Sequence, residues 1–234
     1  LKALGSDQVK ALTTTQIGVL TSQQLGALDA ADVQTWSTVQ LQGLAAQAMS
    51  GMSTGQIIGL SSTQVGQLKT SQFVVLKTQA IQALSSGQMA GLKEEQLTAL
   101  SSGQLVALDT ADVAALDTVQ LRSISSVGVG SMQTVQIQAL GSDQVKALTT
   151  VQIGAIRSTQ VGVLNSVGLV GLSQAQLNAL SVSVVGSLST LQVSNLGSGQ
   201  VQGLTTAQVV ALSTGSLKAL GSDQVKALTT TQIG

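Results

Sequence analysis

From Gly5 onward the chain repeats one pattern of eight positions, [Ser/Thr/Gly]-[Ser/Thr]-x-Gln-[Val/Ile/Leu]-x-[Ala/Gly]-Leu, without an inserted or deleted residue. With the positions numbered 1 to 8, aliphatic side chains recur at 5 and 8, small ones at 7, hydroxyls at 1 and 2 and glutamine at 4. Charge avoids the apolar positions: of the 20 charged side chains, 17 stand at positions 1, 3 and 6 and none at 5, 7 or 8. Positions 5, 7 and 8 are therefore expected to face inward, with Val9, Leu12, Ile17, Leu20, Phe73 and Leu76 as core members and Trp36 in place of a position 8 leucine. On a strand, 5 and 8 would point to opposite faces. On a helix, 2, 5 and 8 fall at i, i+3 and i+6, and position 4 joins the same arc, so the pattern predicts one helix per octad.

The octad boundaries carry the same message. Ser or Thr at position 1 with Gln at position 4 reproduces the capping box, in which the hydroxyl accepts the N3 amide and the glutamine reaches back to the cap. Thr13 with Gln16 and Thr205 with Gln208 are examples. Where position 4 becomes Asp, at Asp32 and Asp112, position 1 is also Asp, at Asp29 and Asp109, so cap and partner change together. Leucine at position 8 and the aliphatic residue at position 5 of the next octad, as in Leu12 and Ile17, form a hydrophobic staple. The octad GSDQVKAL adds an i, i+3 acid–base pair at Asp7/Lys10, Asp143/Lys146 and Asp223/Lys226, in the order the helix dipole favours, each contributing only about 0.2–0.5 kcal/mol on a solvated face.

Helices this short lie below the roughly 12–15 residues at which peptides become marginally helical in water, so each octad depends on its neighbours. The expected fold is all-α: one continuous solenoid or superhelix over residues 1–234, built of capped two-turn helices, in which small residues at position 7 let successive helices approach. The alternative is a parallel β-solenoid with Gln or Thr ladders, since Ser, Thr, Val, Gly and Gln abound. Residues 1–18 recur identically as residues 217–234, a spacing of 216 residues or 27 octads, and this reads as a segment of a longer array. Octads with Ala48, Gly128, Gly168 and Val184 at position 4 lose the glutamine and are expected to be softer links, through drift in an array where one weakened cap costs about 1 kcal/mol. Trp36 reads as a core filler whose indole N–H finds a carbonyl.

Composition narrows function chiefly by exclusion. Histidine, cysteine, proline and tyrosine are absent and Trp36 and Phe73 are the only aromatics, which leaves no nucleophile–base pairs, soft metal ligands or base-stacking platforms. Carboxylates approach one another in sequence only at Glu94–Glu95 and in the Asp29/Asp32 and Asp109/Asp112/Asp117 groups. Calcium-binding repeats carry Gly/Asp-dense loops in every copy, and most octads here contain no carboxylate, so capping accounts for the aspartates. No catalytic, cofactor-binding or metal-binding residue is assigned, and no enzyme activity is expected. Ten acidic and ten basic side chains balance to zero, which provides no stripe for nucleic acid, and no apolar run approaches the length of a membrane span.

The run Leu204–Leu212, LTTAQVVAL, resembles the opening of the repeat in transcription activator-like effectors, a short helix capped by its threonine. That likeness implies Thr205 as N-cap and Gln208 as its reciprocal partner. The second helix, base-reading loop and 34-residue period of that family are missing, so the likeness implies local conformation and not DNA reading. The whole chain is similar to the Thr/Gln/Leu-rich low-complexity arrays of very large bacterial surface and secreted, adhesin-like proteins. Those serve as stalks, fibres or matrix components outside the cell. The resemblance implies an extracellular or cell-surface filament or adhesin stalk whose partner is itself, through end-to-end stacking of octads. The alternative function is a superhelical module that recognises a peptide, glycan or nucleic acid in its groove.

Overall fold

The computed structural model describes residues 3–164 and 166–234. Leu1 and Lys2, which open the recurring 18-residue segment, and Asn165, in the Gly168 octad, lie outside the described residues. The described residues form 29 helices, one per octad, from Ser6–Lys10 to Thr230–Ile233. No strand occurs among them, and the β-solenoid alternative finds no support.

The helices are shorter than the two turns expected, at four to six residues each; Ala46–Met49 has four and Thr38–Gly43 six. The reason lies at the corners. Leu44, at position 8, takes φ −60° and ψ 137°, and Ala45, at position 1 of the next octad, takes φ −63° and ψ 139°, so two extended residues separate the helices Thr38–Gly43 and Ala46–Met49. No described residue has a positive φ. The chain therefore turns without the left-handed residue that usually demands glycine at a helix C-terminus.

Positions 5 and 8 are buried throughout most of the array: Val9, Ile17, Leu20, Trp36, Phe73 and Leu76 all belong to the core. Two expectations need correction. Leu12 is only partly buried. Position 7 does not face inward either: Val19 there is 76 % exposed, and the small residues Gly43, Gly51 and Ala83 are intermediate.

The chain divides into two compact units, Leu1–Ile124 and Ser125–Gly234. In each, the helices that pack together are three apart along the chain. Ser6–Lys10 meets Ala30–Gln34 and Thr14–Gly18 meets Thr38–Gly43 in the first unit; Thr150–Gly154 meets Gln174–Ala179 and Ser198–Gln202 meets Ser222–Ala227 in the second. Small residues are needed at these contacts rather than between successive helices as expected. A Cβ placed on Gly26 would stand 2.6 Å from the Gly51 carbonyl oxygen, and one on Gly51 would collide with the backbone of Ser22. Gly66, Gly91 and Ser62 repeat the arrangement, a Cβ on Gly91 lying 2.7 Å from the Ser62 carbonyl oxygen. Among the described residues no helix is long and apolar enough to cross a membrane.

Candidate structural site: the glutamine clamp

The recurrent chemistry of the chain is at position 4. Gln56 is fully buried. Its Oε1 accepts the Ser53 N–H at 2.8 Å, while the Ser53 Oγ accepts the Gln56 N–H at 3.2 Å, which completes the capping box. Its Nε2 then donates to the carbonyls of Leu25 and Leu28, each at 2.8 Å, 31 and 28 residues earlier. The first of these oxygens also accepts the Leu28 N–H at 3.2 Å, and the second lies in the extended corner. One neutral side chain thus satisfies the start of its own helix and the exit of a helix in the coil before it. Both amide hydrogens and the amide oxygen are used, as burial of a carboxamide requires.

The arrangement recurs in both units. Gln72 holds Leu41 and Leu44, Gln88 holds Ile57 and Leu60, and Gln96 holds Val65 and Leu68. In the second unit Gln192 holds Val161 and Leu164, Gln208 holds Leu177 and Leu180, and Gln224 holds Val193 and Leu196. The spacing of 28 residues is three and a half octads, so a position 4 side chain stands over a position 8 carbonyl.

Trp36 fills the core in the way its type predicts. Its ring is 1 % exposed and its Nε1 donates to the Val9 carbonyl at 2.9 Å, as expected of a core indole. Gln40 donates to the Lys10 and Leu12 carbonyls, at 3.0 and 2.8 Å, the same pairing that Gln104 and Gln176 make.

The assigned caps divide into three groups. Thr13 with Gln16 and Thr205 with Gln208 make both halves of the box, and the second pair matches the cap implied by the effector likeness. Asp109 and Asp112 also exchange both bonds: the Asp112 N–H donates to the Asp109 carboxylate at 2.8 Å, and the Asp109 N–H to the Asp112 carboxylate at 3.3 Å. Asp29 and Asp32 do not. Asp29 holds the extended N-cap backbone, yet its side chain makes no cap bond. Burial pushes the Asp112 carboxyl up to about 6, the Asp109 N–H opposes the rise, and the Asp109 charge and a side-chain hydrogen bond to Asp109 add to it. Asp117 is absorbed by capping, accepting the Val119 and Gln120 N–H groups at 2.8 and 2.7 Å.

Of the three acid–base pairs, Asp143–Lys146 and Asp223–Lys226 form, at 3.5 and 3.7 Å, and Asp7–Lys10 does not. All are solvated, so little holds any of them together. Glu94, Glu95 and Asp117 line one groove with Lys93, Thr98 and Val119. Among the described residues no three acidic side chains are grouped so as to hold a metal ion.

The inter-coil half of the glutamine's role was missed in the sequence, although two signals carry it. Glutamine persists where position 1 has no hydroxyl, at Gly5, Lys69, Lys93, Gly141 and Arg157, each of whose N–H still donates to it at 2.8–2.9 Å. Glutamate, an equal partner in a capping box, never occupies position 4, where a donor is needed. Two further octads lack glutamine, at Ala80 and Ser216. Ser216 is a shortened clamp: its Oγ donates to the Leu188 carbonyl, 28 residues earlier, at 3.2 Å.

A family model described as the ALTTAQ repeat matches the chain five times, at residues 1–30, 105–142, 129–166, 185–214 and 206–234, which together cover more than half of it. No curated protein matches the chain.

Proposed function

The chain belongs to the ALTTAQ repeat family, and on that premise we propose that it is a structural, load-bearing segment of a filament or adhesin stalk at the cell surface or outside the cell. Its partner is itself, through end-to-end stacking of octads, and it carries out no catalysis. One observation supports this above the rest: buried neutral clamps such as Gln56 and Gln208 tie each coil to the one before it at regular intervals in both units. Pulling on such a structure loads many equivalent hydrogen bonds and apolar contacts, and nearest-neighbour coupling spreads the strain. The exposed positions 1, 3 and 6 then govern solubility and lateral association.

Immunogold labelling of the native source, with imaging of the purified full-length protein, tests the reading. Label on thin surface fibres is the expected result. Label confined to the cell interior, with short dispersed monomers, overturns it.

A further inference from the structure

The octad Asp109–Leu116 breaks the clamp in an informative way. Asp112 stands at position 4 and is 2 % exposed. By the clamp spacing of 28 residues its counterpart is the Leu84 carbonyl, of a buried leucine after the helix Thr78–Gln82. Among the described residues no donor reaches that oxygen. The equivalent oxygens one octad to either side are both held: Leu76 by Gln104 at 3.0 Å and Leu92 by Gln120 at 2.9 Å. Ser216 shows that a hydroxyl on a side chain shorter than aspartate's can span the same gap. An ionised carboxylate has no hydrogen to offer a carbonyl; a protonated one has a single O–H.

We propose that Asp112 is a proton-operated clamp: protonated, it donates to the Leu84 carbonyl and closes the one break in this run of glutamines, and ionised, it leaves the joint open. The surroundings favour a local response. The octad three before it in the chain, Ser85–Leu92, contains no ionisable side chain. The helix Ser86–Ala90, which packs against Thr110–Ala115, is likewise neutral. The charged groups nearest along the chain are Asp109, whose carboxylate accepts the Asp112 N–H, and Asp117, engaged in capping. The upward displacement of the Asp112 carboxyl to about 6 agrees. A folded-state value above the ordinary carboxylate value means that the folded chain binds more protons than the unfolded one between about pH 4 and 6. Stability from this group is therefore present at acid pH and lost as pH rises through about 6. The inference is independent of the filament reading, since it concerns one joint of the fold.

Amide hydrogen exchange of the full chain at pH 5.0 and 7.5, corrected for the intrinsic pH dependence of exchange, tests it, with D112Q and D112N beside the wild type. In the wild type the amides of Leu84–Leu92 and Val113 are expected to be protected roughly tenfold or more better at pH 5.0 than at 7.5. D112Q is expected to show the acid-level protection at both values. D112N, which keeps the size of the side chain, removes the pH response even if D112Q packs poorly. Equal wild-type protection at the two pH values, or a pH response that survives in both variants, overturns the proposal.

Discussion

The side-chain amide of Gln56 donates to the Leu28 carbonyl at 2.8 Å across 28 residues of chain, and its oxygen accepts the N–H of Ser53 three residues away. Local and long-range order thus pass through one side chain. Gln56→Ala removes a helix cap partner and leaves two buried carbonyls short of a donor, and is expected to lower local stability by about 2–4 kcal/mol. Ser53→Ala removes only the cap hydroxyl, for about 1 kcal/mol. Gln56→Glu keeps the cap geometry but sets a carboxylate against two carbonyls, and is expected to be the most damaging of the three. Hydrogen exchange over Leu25–Leu28 checks the order, because a repeat array opens piecewise and a single melting curve averages the effect.

Trp36 is the sole tryptophan, so its emission reports on the first coils directly. Burial of the ring predicts a blue-shifted spectrum with little acrylamide quenching. Trp36→Phe loses the bond to the Val9 carbonyl and leaves a gap; a loss of about 1–3 kcal/mol is expected, read as faster exchange at Val9 and Leu12.

Two glycine substitutions are expected to act in opposite directions. A Cβ on Gly51 meets the Ser22 backbone, whereas one on Gly103 meets nothing within 4 Å. Gly51→Ala is therefore expected to cost about 1–3 kcal/mol by forcing two coils apart, and Gly103→Ala to add about 0.5–1 kcal/mol of helix stability. Urea titrations of the two variants beside the wild type give the signs.

The solvated ion pairs contribute little. Asp143→Asn, which breaks the 3.5 Å contact with Lys146, is expected to change stability by no more than about 0.5 kcal/mol, with even that difference lost in high salt.

Much of this architecture was legible in the sequence because the octad is governed by local chemistry. A hydroxyl cap and a glutamine three residues on define a helix start, and the charge-free positions 5 and 8 identify the core. What remained hidden depends on which coil lies over which. Whether position 7 faces the interior cannot be read from its small size alone: Gly51 is small because the Ser22 backbone passes over it, and only the coil spacing reveals that neighbour. The glutamine amide posed the same problem. Its capping oxygen acts within the octad and was anticipated, while its nitrogen acts 28 and 31 residues away and was not. Asp29 marks the remaining limit: its backbone is that of a cap residue but its side chain makes no cap bond, whereas Asp109, with the same residue type at position 4, makes one.

Because the corners need neither glycine nor any left-handed residue, and because most octads offer the same donor and the same acceptors, the array has a built-in unit of growth. Gaining or losing whole octads returns each amide to an equivalent carbonyl, so length can drift between generations of the gene while the fold persists. A single-residue slip has the opposite effect, misaligning every coil-to-coil bond that bridges it. Selection on such a chain therefore acts on its reading frame of contacts more strongly than on the identity of any one copy.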